Sequence, residues 1–211
     1  MAVASVVVMA DAPRPGACNV ALEPRLGPNG CALLQAELIR VAVGWGHALG
    51  PTSVAVFPPD AVDEVDAPAA IVVGAVGESS GARVVAAVGQ ADPPVVVIGT
   101  AMPTLGRFHA DAVESDLEAG VDVSFAPSHD GGFYLYLVAL REPRPDLFVD
   151  GPDAWDGRAA LARLLTRATE LQLEAGMLRG ERKLESPADA AALLLHHALP
   201  ESVAERLRVP G

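Results

Sequence analysis

The stretch that most constrains this chain is Val95-Val96-Val97-Ile98-Gly99, which runs on into Thr100-Ala101-Met102-Pro103-Thr104-Leu105. Four successive β-branched residues suit a strand covered on both faces, as in a parallel sheet. Gly99 lets the backbone turn sharply or approach a ligand closely, and Pro103 ends the ladder. In an open α/β sheet, ligands sit beyond the carboxyl ends of the strands. A site there ordinarily carries an acid or a base. This one carries Ala101 and Met102.

The rest of the chain supplies the partners such a strand needs. Residues 3–9 form an apolar run around Val6-Val7-Val8 and read as a first, central strand. A breaker cluster, Asp11-Ala12-Pro13-Arg14-Pro15-Gly16, opens a loop expected to continue to Asn29. Leu34, Leu38 and Val41 then recur at helical spacing. Residues 52–57 and 70–74 read as strands, 80–90 as a helix, and 105–119 as a helix with Phe108, Val113 and Leu117 on its apolar side. Residues 121–127 and 133–140 read as a strand pair joined by Ser128-His129-Asp130-Gly131-Gly132. The clearest helix spans 158–173, and 173–178 follows as a short edge strand. Ser186-Pro187-Ala188-Asp189 is a helix start, with a capping serine, a proline at the first position and an acid in the first turn.

Alternation of this kind predicts an α/β domain with a mainly parallel, mixed sheet flanked by helices. With no internal repeat and no long linker, one domain over residues 1–199 and a short tail over 200–211 is the expectation.

Charge excludes some partners. The net charge is −12, which argues against a nucleic-acid or anionic-membrane binder. No run is long and apolar enough to span a bilayer, and the first residues lack a basic leader. Cys18 and Cys31 read as free thiols in a reducing compartment. A cytoplasmic protein is therefore expected. The 51% hydrophobic content also admits a homodimer, although no stretch marks its interface.

Few side chains offer chemistry by themselves. His129 beside Asp130 is a candidate general base without an evident partner. His196-His197 suits a helix end better than a metal. His47 and His109 read as isolated, and Trp155 as a packing anchor for the last helices. No zinc-type ligand spacing, nucleophile elbow or Walker loop is present.

Taken in order, several short motifs resemble one bacterial family. They are Asp11-Ala12-Pro13-Arg14-Pro15-Gly16, Leu26-Gly27-Pro28, Ile98 to Leu105, Asp130-Gly131-Gly132-Phe133-Tyr134-Leu135, Leu147-Phe148 with Trp155, and Ser186-Pro187-Ala188-Asp189. The family is the glycosyltransferase-like domain of unknown function related to nucleotide-diphospho-sugar transferases. Its wider kin include the guanylyltransferases of molybdopterin and phospholactate. The resemblance implies a single Rossmann-like, GT-A-type fold. It also implies a nucleotide or nucleotide-sugar partner held by Ala12, Pro13 and Gly16 of the first loop and by Gly99, Thr100 and Ala101 of the second.

The departures from the family pattern fall together. The first loop of the family begins with lysine, here Asp11, and continues to Lys-Thr-Arg-Leu, here Asn19-Val20-Ala21-Leu22. Cations at those positions would cradle phosphates. Arg14 and Arg25 lie nearby in sequence but not at the matched positions. The family's second motif, Gly-Thr-Asp-x-Pro-x-Leu, holds a divalent metal through its aspartate, here Ala101. The third keeps Asp130, a candidate catalytic residue and metal ligand. The last, Asp-x-Asp-Thr-Pro, reads Lys183-Leu184-Glu185-Ser186-Pro187, so Glu185 is the second candidate catalytic carboxylate and Lys183 replaces an acid. The expectation is a transferase-like protein with a degenerate phosphate and metal site and altered or lost catalysis. The alternative is an active, metal-independent transferase. Mg²⁺ or Mn²⁺ belongs only to an active form of the standard kind.

Overall fold

The computed structural model describes residues 3–129, 133–139, 144–148 and 159–209. Seven strands form one sheet: β1 (Ser5–Asp11), β2 (Thr52–Phe57), β3 (Ile71–Gly74), β4 (Val95–Gly99), β5 (Val123–Pro127), β6 (Phe133–Ala139) and β7 (Ala175–Met177). Their order is β3-β2-β1-β4-β6-β5-β7. β3, β2, β1 and β4 run parallel. β6 inserts antiparallel between β4 and β5, and β7 joins β5 in parallel. The sheet is therefore parallel apart from one reversed strand, as the alternation predicts.

The apolar runs are continuous because both faces of the sheet are covered. Successive side chains point to opposite faces. Val6, Val8, Val96 and Ile98 pack on one face with Ile39, Val43 and Trp45 of α1 (Glu23–Gly46) and Val113 of α3 (Arg107–Ala119). Val7, Ala55, Val95 and Val97 pack on the other with Val84 and Val88 of α2 (Ser80–Val88) and Leu164 and Ala168 of α4 (Ala160–Glu170). Each fully buried Val or Leu contributes about 1.5–3 kcal/mol relative to exposure. Few aromatics are needed for such a core.

Several local expectations are corrected. The long loop after β1 is cut short. A 3-10 turn at Val20–Leu22 leads directly into α1, which bends at Gly27. Gly27 takes φ 65° and ψ 166°, a conformation that side chains avoid, and Pro28 then opens the straight part of the helix. Phe108 is exposed rather than on the apolar side of α3; His109, Ala110 and Val113 are buried instead. The helix after Ser186, α5 (Pro187–Leu193), ends before His196. Residues Glu201–Arg208 form α6, whose Val203 and Leu207 are buried with Leu26, Leu34 and Leu38 of α1. No helix among the described residues is long and apolar enough to cross a membrane.

Candidate functional site

The parallel strands β1, β2 and β4 end on one side of the sheet, and their ends floor a cleft of about 450 Å³. Met9, Ala10 and Asp11 come from β1, Ala55 and Phe57 from β2, and Gly99 to Met102 from the end of β4. Asn19 to Leu22 form a wall, and Ser80, Arg83 and Val84 enter from α2. The remaining wall is the strap Lys183-Leu184-Glu185.

The strap brings distant motifs together. Leu184 N–H donates to the carbonyl of Ala101 at 2.8 Å. The two positions at which the resemblance expects metal-holding carboxylates are thus neighbours across the cleft. Neither presents the expected set. Ala101 has no side-chain ligand atom. Lys183 Nζ lies 3.1 Å from Glu185 Oε1, so an ammonium occupies the neighbourhood of the surviving acid. Among the described residues, no group of three His, Cys, Asp or Glu side chains could hold a metal. This donor set does not fit a divalent cation bridging phosphates, which requires several hard oxygen ligands.

Side-chain amides tie the first loop to α1 and to the end of β4. Asn19 Nδ2 donates to Gln35 Oε1 at 3.0 Å, and Gln35 Nε2 donates to the Asp11 carbonyl at 2.9 Å and to Thr100 Oγ1 at 3.3 Å. An amide network therefore joins the first loop, α1 and the end of β4, beside the positions at which the resemblance expects cations. Neither nearby arginine replaces them. Arg14 makes a paired contact with Glu64 and approaches Asp60 at 3.6 Å, on the outer surface. Its guanidinium is held even more firmly protonated by the Glu64 hydrogen bonds. Arg25 Nε donates to the Leu207 carbonyl at 3.1 Å, tying α1 to α6.

Of the residues predicted to contact a nucleotide, Gly99, Thr100 and Ala101 line the cleft. Ala12, Pro13 and Gly16 lie in the loop beside it and are not among its lining residues; Ala12 is buried against Val56 and Ala61. Glu185 lines the cleft. Asp130 and Trp155 lie outside the described residues. Cys18 and Cys31 are buried free thiols behind the Asn19–Leu22 wall, as expected. Burial, with Cys31 adding to it, pushes the Cys18 thiol up to about 11.

Three contributors escape a reading of the sequence alone. Gln35 follows Leu34 within an apolar stripe, and a polar residue there was the available signal. Arg83 lies over the Phe57 ring at 4.2 Å from its centroid, a contact between elements that carries no sequence signature. His109 is not isolated. Its Nδ1 accepts from Gly106 N–H at 3.1 Å, so Nε2 carries the proton toward Glu181 Oε1 at 3.2 Å. Both side chains are buried, and Arg179 Nε stands 3.3 Å from the same oxygen. Glu181 N–H also donates to the Pro127 carbonyl, and His129 N–H to the Glu181 carbonyl. The upper end of the strap is thereby fixed to α3 and to the end of β5.

Comparison with known proteins agrees with this architecture. The model of a family described as "Uncharacterized protein conserved in bacteria (DUF2064)" matches residues 47–152, just over half of the chain. No curated protein matches it in sequence. Among solved structures, it is similar to a candidate nucleotide-diphospho-sugar transferase from Desulfovibrio desulfuricans, with a TM-score of 0.82 and 19% identity over 99% of this chain and 95% of that one. It is also similar to Rv0371c of Mycobacterium tuberculosis in complex with manganese, with a TM-score of 0.53 and 14% identity over 90% of this chain and 97% of that one. A third similar structure is CMP:2-keto-3-deoxy-manno-octonic acid synthetase complexed with CTP, with a TM-score of 0.50 and 13% identity over 90% of this chain and 96% of that one. At these identities the likeness establishes the nucleotide-diphospho-sugar transferase fold.

Proposed function

The chain belongs to this family of bacterial proteins, DUF2064, and we propose that its cleft is a transferase-type nucleotide site whose phosphate and metal chemistry is altered or lost. The observation that carries the proposal is the Ala101 corner of the cleft. Leu184 N–H pairs with the Ala101 carbonyl there, and Lys183 with Glu185, where an active site of this type would gather carboxylates around a metal. The frame is retained while its central ligand is gone. Asp11 and the amide network of Asn19 and Gln35 extend the change to the phosphate side. Placing a carboxylate near phosphates costs on the order of a few kcal/mol at an intermediate dielectric. The likeness to proteins that bind CTP or manganese supports the cleft as the ligand site.

A thermal-shift screen with uridine, cytidine and guanosine nucleotides and nucleotide sugars, each with and without Mg²⁺ or Mn²⁺, tests this. A ligand at about 100 times its dissociation constant adds about 2.7 kcal/mol. The expected result is no metal-dependent shift, and a metal-dependent shift gained in the combined variant Asp11→Lys, Ala21→Arg, Ala101→Asp. A strong metal-dependent shift in the unaltered protein refutes the proposal.

Lys183 favours one second reading. Its ammonium is a fixed cation at the cleft, and could supply the charge that a metal supplies elsewhere. An active, metal-independent transferase would cleave a nucleotide sugar in the presence of EDTA and lose that activity in Lys183→Ala. Turnover abolished by EDTA contradicts it.

A further inference from the structure

We infer that Thr100 is a specificity-determining residue of the cleft, its hydroxyl held as a hydrogen-bond donor that selects a ligand with an acceptor oxygen at the end of β4. The inference rests on the cleft being the ligand site proposed above, and it names one contact by which that site reads its ligand. Backbone carbonyls set the direction of the hydroxyl. The Asp11 carbonyl can only accept, so the Gln35 amide turns Nε2 toward it, at 2.9 Å. Gln35 Oε1 then faces Asn19 Nδ2 at 3.0 Å. The same Asn19 nitrogen lies 3.5 Å from the Cys31 carbonyl, another group that only accepts. Both amides are therefore oriented by the same requirement. The second hydrogen of Gln35 Nε2 meets Thr100 Oγ1 at 3.3 Å, so Thr100 accepts there. Among the described residues, this is the only hydrogen bond of the Thr100 side chain. Thr100 lines the cleft, and its own hydrogen is left to a ligand.

The bonds run in one direction, from Asn19 through Gln35 to Thr100. Each accepted bond polarises the next donor, so the terminal O–H is the strengthened one. The chain is also well fixed. Gln35 is buried in α1 at 3% exposure, and Thr100 directly follows the last residue of β4. Asn19 sits at φ 49° and ψ 33°, a left-handed conformation that asparagine tolerates better than most residues. Three elements thus hold one hydroxyl. A ligand that brings a phosphoryl or carbonyl oxygen satisfies it without a metal or a lysine. A ligand that brings only donors, such as an ammonium group, leaves the hydrogen unpaired in a partly buried site, which costs affinity.

Titration calorimetry on the full chain with CTP, cytidine and pyrophosphate, each in EDTA, tests the inference. At least one probe is expected to bind, and to bind Thr100→Val about tenfold more weakly, with Thr100→Ser within about threefold of the unaltered chain. A loss confined to CTP and pyrophosphate assigns the acceptor to a phosphoryl group, and a loss shared by cytidine assigns it to the nucleoside. Gln35→Met keeps the side chain's length and removes both amide functions. It is expected to weaken binding about threefold when Thr100 is present and to have no effect in Thr100→Val, because Gln35 acts through that hydroxyl. An equal loss in both backgrounds overturns the relay. Should Gln35→Met fail to fold, as read by urea denaturation, the two Thr100 variants decide alone. Thr100→Val binding every probe as tightly as the unaltered chain overturns the inference, and so does binding of none of the probes. Both results leave the altered-metal reading standing. Tight binding of CTP by the unaltered chain that appears only with Mg²⁺ breaks that reading instead, while the EDTA series still decides the role of Thr100.

Discussion

The strap between β7 and α5 carries two acid–base pairs that differ in kind. At its upper end, Glu181 meets His109 at 3.2 Å, and the two side chains are only 8% and 9% exposed. At its lower end, Lys183 meets Glu185 at 3.1 Å, with 19% and 52% of the side chains exposed. The distances are alike and the surroundings are not. A buried pair that loses one member leaves a polar group short of a hydrogen bond where water does not readily replace it. A cleft pair exchanges its partner for water or for a ligand at little cost. The upper pair therefore secures the strap, and the lower pair is the part a bound molecule can rearrange.

Breaking the upper pair is the largest effect expected. His109→Ala removes the imidazole hydrogen bond to the Glu181 carboxylate and should lower unfolding stability by about 2 kcal/mol, measured by urea denaturation. A loss below about 1 kcal/mol would mean that Arg179 compensates alone. Removing the cap that receives the strap is next. Ser186 Oγ accepts from Asp189 N–H at 3.2 Å, and Ser186→Ala should cost about 1 kcal/mol.

Breaking the lower pair sharpens the contrast. Lys183→Ala should change stability by less than about 1 kcal/mol while altering ligand affinity. A large stability loss with unchanged binding would reverse the assignment of the two pairs. A separate effect concerns pH. The Cys18 thiol is raised from 9.0 to about 11, chiefly by burial. The folded state then holds a proton that the unfolded chain releases, so its stabilising contribution is complete below pH 9 and is lost as pH rises toward 11. Denaturation at a series of alkaline pH values should show this decline, and Cys18→Ala should flatten it.

Much of the fold was legible in the sequence because it is written in local patterns. Val95 to Ile98 and Val6 to Val8 announce strands covered on both faces, and Ser186-Pro187 announces a helix start. Long-range organisation was less legible. Gly27 inside a helical stretch looked like loop because a bend and a break share the same residue types. The burial of Val203 and Leu207 depends on a groove of α1 that no local pattern reveals. The site shows the same division. The proposed loss of a carboxylate at Ala101 rests on comparing motifs, which is possible because it concerns a single position. The His109–Glu181 pair spans separate elements, and its members become partners only once the sheet is assembled. The wall of the cleft likewise depends on Arg83, which arrives from α2.

The claim that Ala101 marks a lost metal site is tested most directly by titrating Mn²⁺ into the protein in the presence of CTP, followed by electron paramagnetic resonance. The account predicts no stoichiometric, CTP-dependent Mn²⁺ uptake by the unaltered chain and its appearance in the combined variant Ala101→Asp, Lys183→Asp. One tightly held equivalent of Mn²⁺ in the unaltered chain would contradict it.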